Sequence, residues 1–162
     1  MKIAIVMGSA SDFPVIEKGI EVMNDFNVDF ELRVMSAHRT PDIAADFAKN
    51  AEKNGFEVII AVAGMAAHLA GVLAAYTCLP VIGVPVSSSS LVGVDALLAM
   101  VQMPTGVPVA TVAVNGGENA VILAIQMLSI KYPRLRETFY EFKKQMADKV
   151  RQADIIMQNK LV

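Results

Sequence analysis

The sequence contains few of the residues that disulfide-bonded and metal-binding proteins need. It has one cysteine, Cys78, no tryptophan, and only two histidines, His38 and His68. A single cysteine cannot form an intramolecular disulfide, and the two histidines belong to no cluster with zinc-ligand spacing. We therefore expect no structural zinc, and we interpret Cys78 as a small buried hydrophobic residue.

Charge is also scarce. Charged residues make up 19% of the chain, the formal net charge is -2, and the basic residues are scattered. Nucleic-acid-binding domains usually carry a basic stripe, so we expect no nucleic acid and predict that any bound phosphate belongs to a small molecule. Apolar runs of membrane-spanning length are missing, and the N-terminal IAIVM is too short for a signal peptide. The expectation is a soluble, cytoplasmic protein with no membrane partner.

Apolar residues, in contrast, are abundant and occur in short, regularly spaced segments. The AVILMFWYC group makes up 54% of 162 residues, which suits one core but not two. Apolar, β-branched runs predict strands, and apolar residues three or four apart predict helices. The predicted strands are 3–7, 28–35, 58–62, 81–84 and 109–114, and the predicted helices are 14–26, 41–54, 66–76, 91–103, 118–130 and 134–160.

This alternation of strands and helices predicts an α/β fold. Right-handed crossovers then make the sheet mostly parallel and place helices on both of its faces. We predict a single domain over 1–162, a flavodoxin-like three-layer α/β/α sandwich with a mostly parallel five-stranded sheet and a long C-terminal helix. Ligands of such sheets bind beyond the carboxyl ends of the strands, so the loops after the strands are the candidate sites.

The loop after the first predicted strand, GSASD at 8–12, is rich in small and hydroxyl residues. Free amides at the following helix can hold an anion, Ser9 and Ser11 can donate to it, and Asp12 can accept hydrogen bonds from ribose hydroxyls. An ordinary helix cap and tight turn would favour the same residue types. Both interpretations stay open for this loop.

The loop after the second predicted strand, SAHRTP at 36–41, places two chemically active side chains at a helix start. Thr40 is predicted to cap this helix, with Pro41 at its first position. Arg39 offers a planar fork of donors for a phosphate or carboxylate, and His38 can exchange a proton near neutral pH. The alternative is a surface pair that caps neighbouring carbonyls.

The third loop, AGMAAHLAG at 63–71, surrounds His68 with small residues that permit close approach of a ligand. His68 is suited to donate to a substrate carboxylate, although a core histidine whose ring nitrogens are hydrogen-bonded fits the same composition.

The serine run at 87–90 predicts a further loop that can cover a ligand. The predicted helix over 134–160 has an apolar stripe that needs a partner, which predicts a homo-oligomer.

Several long motifs occur in the order of one known family: GSASD, SAHRTP, AGMAAHLAG, GVPV, LVGVDALLAMVQMPTGVPVATVAV and ENA. Over about residues 1–128 the chain resembles the class I N5-carboxyaminoimidazole ribonucleotide mutases of purine biosynthesis. The resemblance implies decarboxylation at N5 and recarboxylation at C4 with trapped CO2, without a metal or organic cofactor. It also implies an octamer whose C-terminal helices pack on neighbouring subunits, and it allows functional coupling to an ATP-dependent carboxyaminoimidazole ribonucleotide synthetase.

The resemblance also assigns roles to residues by matching position. The implied ribonucleotide-binding residues are Ser9, Ser11, Asp12, Ser36, Arg39 and His68. His38 is implied to be the catalytic acid/base, and His68 with its small neighbours to position the migrating carboxylate. The family pattern has glycine at Met65 and proline at Ala70, so Met65 is expected to crowd the carboxylate pocket.

Four alternative functions fit the sequence less well. A class II carboxylase that uses free CO2 is disfavoured by AAHL at 66–69, an element that its third loop lacks. A flavin carrier is disfavoured because tryptophan is absent and the three tyrosines fall outside the strand-end loops. A phosphoacceptor receiver would need acidic residues after the first strand and an aspartate at the end of the third, where this sequence reads GSASD and AVAGM. A non-catalytic ribonucleotide-binding oligomer would result if Met65 blocked the carboxylate pocket.

Overall fold

The computed structural model describes residues 1–88 and 90–160, so Ser89 of the predicted serine loop lies outside the described residues. The strands are β1 (Lys2–Met7), β2 (Asp29–Val34), β3 (Val58–Gly64), β4 (Val81–Val86) and β5 (Ala110–Thr111). They form a five-stranded sheet in the order β2-β1-β3-β4-β5, and all four strand pairs are parallel. This is the strand order of flavodoxin-like folds, so the predicted fold class is confirmed.

The helices are α1 (Phe13–Asp25), α2 (Pro41–Asn50), α3 (Leu69–Tyr76), α4 (Val94–Val101), α5 (Gly117–Leu128) and α6 (Pro133–Asn159), and a 3-10 turn over Ala10–Asp12 precedes α1. Helices α2, α3 and α4 are shorter than predicted by several residues, and a residue with a left-handed backbone lies near the changed end of each. Gly55 (φ 81) lies in the turn after α2, Met65 (φ 56) precedes α3, and Gly93 (φ 87) precedes α4. Helical geometry cannot continue through a residue with positive φ, so Gly93 delays the start of the helix predicted from residue 91.

The buried strands β1 and β3 separate two helical layers. The connection from β1 leads outward to β2, whereas the later connections lead toward β5, so right-handed crossovers place α1 opposite α2, α3 and α4. Successive side chains of each strand point to opposite faces of the sheet. The face that α2, α3 and α4 cover has a core of side chains such as Val6, Ala61, Phe47, Leu73 and Met100.

Cys78 departs from the sequence prediction. It is exposed, in the short connection that follows α3 and leads into β4. The expectation of a buried cysteine rested on the average behaviour of the residue type, and the connection between a helix and a strand runs over the surface.

No helix among the described residues is both long enough and apolar enough to span a bilayer.

Helices α1 and α5 approach closely at two glycines. A Cβ built on Gly19 would lie 2.7 Å from Val121 Cγ2, and a Cβ built on Gly117 would collide with the backbone carbonyl group of Val15. Backbone atoms cannot move aside as a flexible side chain can. The small residues at these two positions therefore set the separation of the two helices.

We expect Gly117→Ala to lower the free energy of unfolding by about 2 kcal/mol and Tm by roughly 4–8 °C, because the added methyl group forces α1 and α5 apart. Thermal unfolding followed by circular dichroism measures this. Gly55→Ala is the control, since a Cβ there meets nothing within 4 Å and only its positive φ opposes the change. A Gly117→Ala variant as stable as the wild type would contradict the packing argument.

The chain divides into two compact units, Met1–Ile125 and Gln126–Val162. Within the second unit, the Arg136 side chain donates from Nε to the Ser129 carbonyl and from Nη2 to the Ile130 carbonyl, both at 3.1 Å. These bonds satisfy carbonyl groups just beyond the end of α5. Several large apolar side chains of α6 are exposed, namely Tyr140, Met146, Val150, Ile155, Ile156 and Met157.

Candidate active site

An open cavity of about 740 Å³ lies at the carboxyl ends of the strands. The loops after β1, β2, β3 and β4 supply its walls. The lining residues are Gly8, Ser9, Ser11, Asp12, Ser36, Ala37, His38, Arg39, Ala63, Gly64, Met65, Ala66, Leu69, Val86, Ser87 and Ser88. The cavity thus brings together six predicted site residues: Ser9, Ser11, Asp12, Ser36, His38 and Arg39. The seventh, His68, lines an adjoining apolar cavity of about 470 Å³.

The loop after β1 is a capping box that also faces the cavity. Ser9 Oγ accepts hydrogen bonds from the Ser11 amide at 3.3 Å and the Ser11 hydroxyl at 2.8 Å, and the Ser9 amide donates to Asp12 Oδ2 at 3.1 Å. Capping and ligand binding are therefore not exclusive for these residues. The hydrogen bonds hold two hydroxyl groups and one carboxylate in fixed positions on the cavity wall.

Asp12 is the one buried carboxylate in this wall, with 9% of its surface exposed. Burial raises the pKa of its carboxyl group above 3.8, and the hydrogen bond from the Ser9 amide opposes this effect. The folded protein therefore binds a proton at Asp12 more tightly than the unfolded chain does. This contribution makes the free energy of unfolding fall as pH rises from about 3.8 through the raised pKa, and leaves it constant above that window.

We expect Asp12→Asn to raise Tm at pH 7, because asparagine can still accept from the Ser9 amide but carries no charge to desolvate. The Tm difference from wild type should shrink as pH falls toward 4. Thermal unfolding across this pH range is the measurement, and Asp25→Asn at an exposed position is the control. A difference that does not vary with pH would show that desolvation of Asp12 is not its origin.

The loop after β2 is organised by the Ser36 side chain. Ser36 Oγ accepts from the amides of His38 and Arg39 at 3.3 and 3.2 Å and from Arg39 Nε at 3.5 Å. Thr40 occupies the predicted N-cap position of α2, but its side chain makes no capping bond. Its hydroxyl instead accepts from the Ser36 amide at 2.9 Å and donates to the Ser36 carbonyl at 3.2 Å. The Ser36–Thr40 pair therefore braces the loop that carries His38 and Arg39.

Arg39 connects the first two loops. Its Nη2 donates to the Gly8 carbonyl at 3.1 Å, which places the guanidinium beside the serine-rich loop. A guanidinium has five N–H donors, and the contacts to Gly8 and Ser36 use two of them. The planar fork can therefore still meet an anion in the cavity, where the hydroxyl groups of Ser9 and Ser11 also lie.

The two histidines of the sequence, thirty positions apart, are in direct contact. His38 Nε2 lies 2.9 Å from His68 Nδ1, and the rings are nearly perpendicular at 79°. When both rings are neutral, one of the facing nitrogens carries the hydrogen and the other accepts it, so the two tautomers are linked. Nothing in the sequence predicted this pairing, because it arises only when the loops after β2 and β3 meet.

The residue that sequence reasoning missed is Asn115. Its side-chain Oδ1 accepts from the Ser87 backbone amide at 2.9 Å, and its backbone amide donates to the Pro85 carbonyl at 2.8 Å. Asn115 has a φ of 59°, a left-handed conformation that asparagine tolerates better than most residues. Asn-Gly-Gly after a strand was the available signal. The contact holds Ser87 and the adjacent Ser88 in the cavity wall.

The arrangement suits an anionic ligand. Serine hydroxyl groups, the Arg39 guanidinium and the His38 imidazole line one cavity, and the loop after β3 adds small residues and Met65 to its wall. Among the described residues, no three histidine, cysteine, aspartate or glutamate side chains are grouped so as to hold a metal ion. Proton exchange by an imidazole beside a bound anion is the chemistry that these residues can perform.

Comparison with known proteins agrees with this geometry. The sequence model of the family described as AIR carboxylase matches residues 2–149. A curated N5-carboxyaminoimidazole ribonucleotide mutase from Pyrococcus abyssi is 54% identical over 145 residues, which cover 90% of this chain and 83% of that protein. The mutase of the same name from Thermotoga maritima is 53% identical over 149 residues, covering 92% of this chain and 87% of that protein.

A solved structure extends the comparison to the fold. The crystal structure of PurE from Treponema denticola superposes with a TM-score of 0.86 at 26% sequence identity, and the match covers 94% of this chain and 96% of that one. The family match spans nearly the whole chain, and about half of the residues are identical in the curated relatives. The chain belongs to the AIR carboxylase family.

Proposed function

We propose that this chain is an N5-carboxyaminoimidazole ribonucleotide mutase of de novo purine biosynthesis, an isomerase that produces 4-carboxy-5-aminoimidazole ribonucleotide. The observation that carries the proposal is the placement of His38 and Arg39 on one cavity wall with the serines of the first loop. An anion-binding group beside a proton-exchanging imidazole suits a phosphorylated substrate whose conversion needs a proton transfer. The curated relatives at 54% and 53% identity carry the same mutase name.

In this proposal the first two loops bind the ribose phosphate. Ser9, Ser11 and Ser36 offer hydroxyl groups, and Arg39 supplies a charge-assisted fork for the phosphate. Asp12 accepts from ribose hydroxyls through a carboxylate that Ser9 already orients. The loop contacts are formed before the ligand arrives, so little ordering remains for binding to induce.

The ring of the substrate then lies next to His38. The bond from the exocyclic nitrogen to its carboxyl group breaks and releases CO2, and that nitrogen gains a proton. C4 forms a bond to the same CO2 and loses its proton. His38 relays this proton, so none is gained or lost over the cycle, and neither a metal nor an organic cofactor takes part in the proposal.

His68 has a positioning role in the proposal. Its Nδ1 lies 2.9 Å from His38 Nε2, which restricts the orientation of the His38 ring. With the small residues of the third loop, His68 also limits where the carboxylate can move. Retention of CO2 requires an enclosed space, so catalysis here depends on positioning and exclusion of water.

The assembly belongs to the same proposal. We take residues 1–162 as one α/β domain whose helix over 134–160 packs on neighbouring subunits, in a cytoplasmic octamer. The exposed apolar side chains of α6 support a partner for that helix, since such a stripe is costly to leave in water. The same proposal includes functional coupling to an ATP-dependent carboxyaminoimidazole ribonucleotide synthetase that supplies the substrate.

An assay of imidazole absorbance at low bicarbonate tests the function. The wild-type chain is given the N5-carboxylated ribonucleotide in one reaction and aminoimidazole ribonucleotide with added CO2 in another. Fast conversion of the N5-carboxylate with little use of free CO2 is the expected result. Dependence on free CO2 would indicate a class II carboxylase, and binding without product would indicate a non-catalytic ribonucleotide-binding oligomer.

A further inference from the structure

Met65 occupies an unfavourable conformation in the cavity wall. Its φ is 56°, in the left-handed region, and 66% of its surface is exposed. A residue with a large side chain rarely adopts this backbone conformation. Because the Met65 side chain is exposed, the free protein also lacks the stabilisation that burying it would give. Both costs fall on one residue in a loop whose neighbours, Ala63, Gly64, Ala66 and Ala67, are all small.

The surrounding backbone holds Met65 in this conformation. The preceding Gly64 pairs with Val86 at the ends of β3 and β4, and a Cβ on Gly64 would lie 3.2 Å from the Val86 carbonyl oxygen. The Ala67 amide then donates to the Met65 carbonyl at 2.8 Å. A strained residue that its surroundings hold in place, beside a ligand cavity, is a recognised sign of a role in binding.

The position of Met65 relative to the anion-binding residues suggests what it contacts. Arg39 and the serines of the first loop lie on the β1 and β2 side of the cavity, whereas Met65 follows β3. A ribonucleotide with its phosphate at Arg39 extends its ring toward the loop after β3. A methionine thioether packs favourably on aromatic rings, and its flexible chain adapts to their position.

We propose that Met65 is a specificity-determining residue that packs on the five-membered heteroaromatic ring of the bound ribonucleotide. The inference rests on the proposed function and adds a contact to it. Ligand binding buries the Met65 side chain that is exposed in the free protein. Met65 therefore favours ligands that carry the ring over ligands that carry only the ribose phosphate.

Titration calorimetry with two probes tests this contact. The probes are 4-carboxy-5-aminoimidazole ribonucleotide and ribose 5-phosphate, and the proteins are wild type, Met65→Ala, Met65→Gly and Met65→Leu. We expect Met65→Ala and Met65→Gly to raise Kd for the ribonucleotide about tenfold. Kd for ribose 5-phosphate should stay unchanged, and Met65→Leu should retain most of the ribonucleotide affinity.

The variants also separate side-chain contact from backbone strain. Alanine keeps the strain and removes the side chain, whereas glycine removes both, so a role of the side chain requires that the two variants bind alike. Wild-type affinity in Met65→Ala would overturn the inference and leave the proposed function intact. Failure of the wild-type chain to bind either probe would overturn the proposed function and the inference together.

Discussion

We expect His38→Asn to lower kcat about 1000-fold with little change in KM, because asparagine cannot relay a proton between the exocyclic nitrogen and C4. General acid–base catalysis by a positioned side chain contributes on the order of 10²- to 10⁴-fold. Asparagine keeps polar groups near the positions of the ring nitrogens, so the loop that Ser36 braces should survive the change. The absorbance assay with the N5-carboxylated ribonucleotide measures both constants.

The matched control is the same substitution at the other histidine. His68 contacts His38 but lines the adjoining cavity, so His68→Asn should lower kcat less than about tenfold through a misoriented His38 ring. Comparable losses from the two substitutions would assign the proton relay to the pair. A full rate in His38→Asn would remove His38 from the chemistry.

The second large effect is expected at Arg39. Arg39→Gln should raise KM about 100-fold, since it removes the charge-assisted fork for the phosphate and the bond to the Gly8 carbonyl. The same substitution should weaken binding of ribose 5-phosphate by a similar factor, because that ligand carries the phosphate. Binding of both ligands should also lose much of its salt dependence.

Arg33→Gln is a suitable control for this experiment. Arg33 lies on β2 and pairs with Glu31 at 3.0 Å, and it is not among the residues that line the cavity. The Arg33→Gln substitution removes the same charge from the chain without altering a cavity residue, so KM should be unchanged. An equal rise of KM in Arg33→Gln would mean that Arg39 acts only through net charge.

The fold was largely predictable because buried parallel strands are apolar on both faces. The runs at β1, β3 and β4 stand out for that reason, and the predicted strand at 58–62 differs from β3 by only two residues. The last strand was overestimated, since 109–114 was predicted and only Ala110–Thr111 pairs with β4. An edge strand has one neighbour, so its length depends on pairing that its own sequence does not encode.

The candidate site was predictable where the residue types within a single loop indicate ligand binding. Small and hydroxyl residues before α1, and a histidine and arginine before α2, identified six of the cavity-lining residues. Contacts between loops left no such trace, so the His38–His68 pair and the bond from Ser87 to Asn115 had to come from the structure. The sequence singled out Met65 as a departure from the family pattern, but its positive φ had to come from the structure.

The most direct test of the account follows the carboxyl carbon itself. The substrate is prepared with ¹³C in the N5-carboxylate and converted by the wild-type chain in unlabelled bicarbonate, with carbonic anhydrase present to equilibrate free CO2. We expect nearly all of the label to appear in the C4-carboxylate of the product, because CO2 stays in the cavity between the two steps. Loss of the label to the bicarbonate pool would contradict it, since the carboxylate would then come from free CO2.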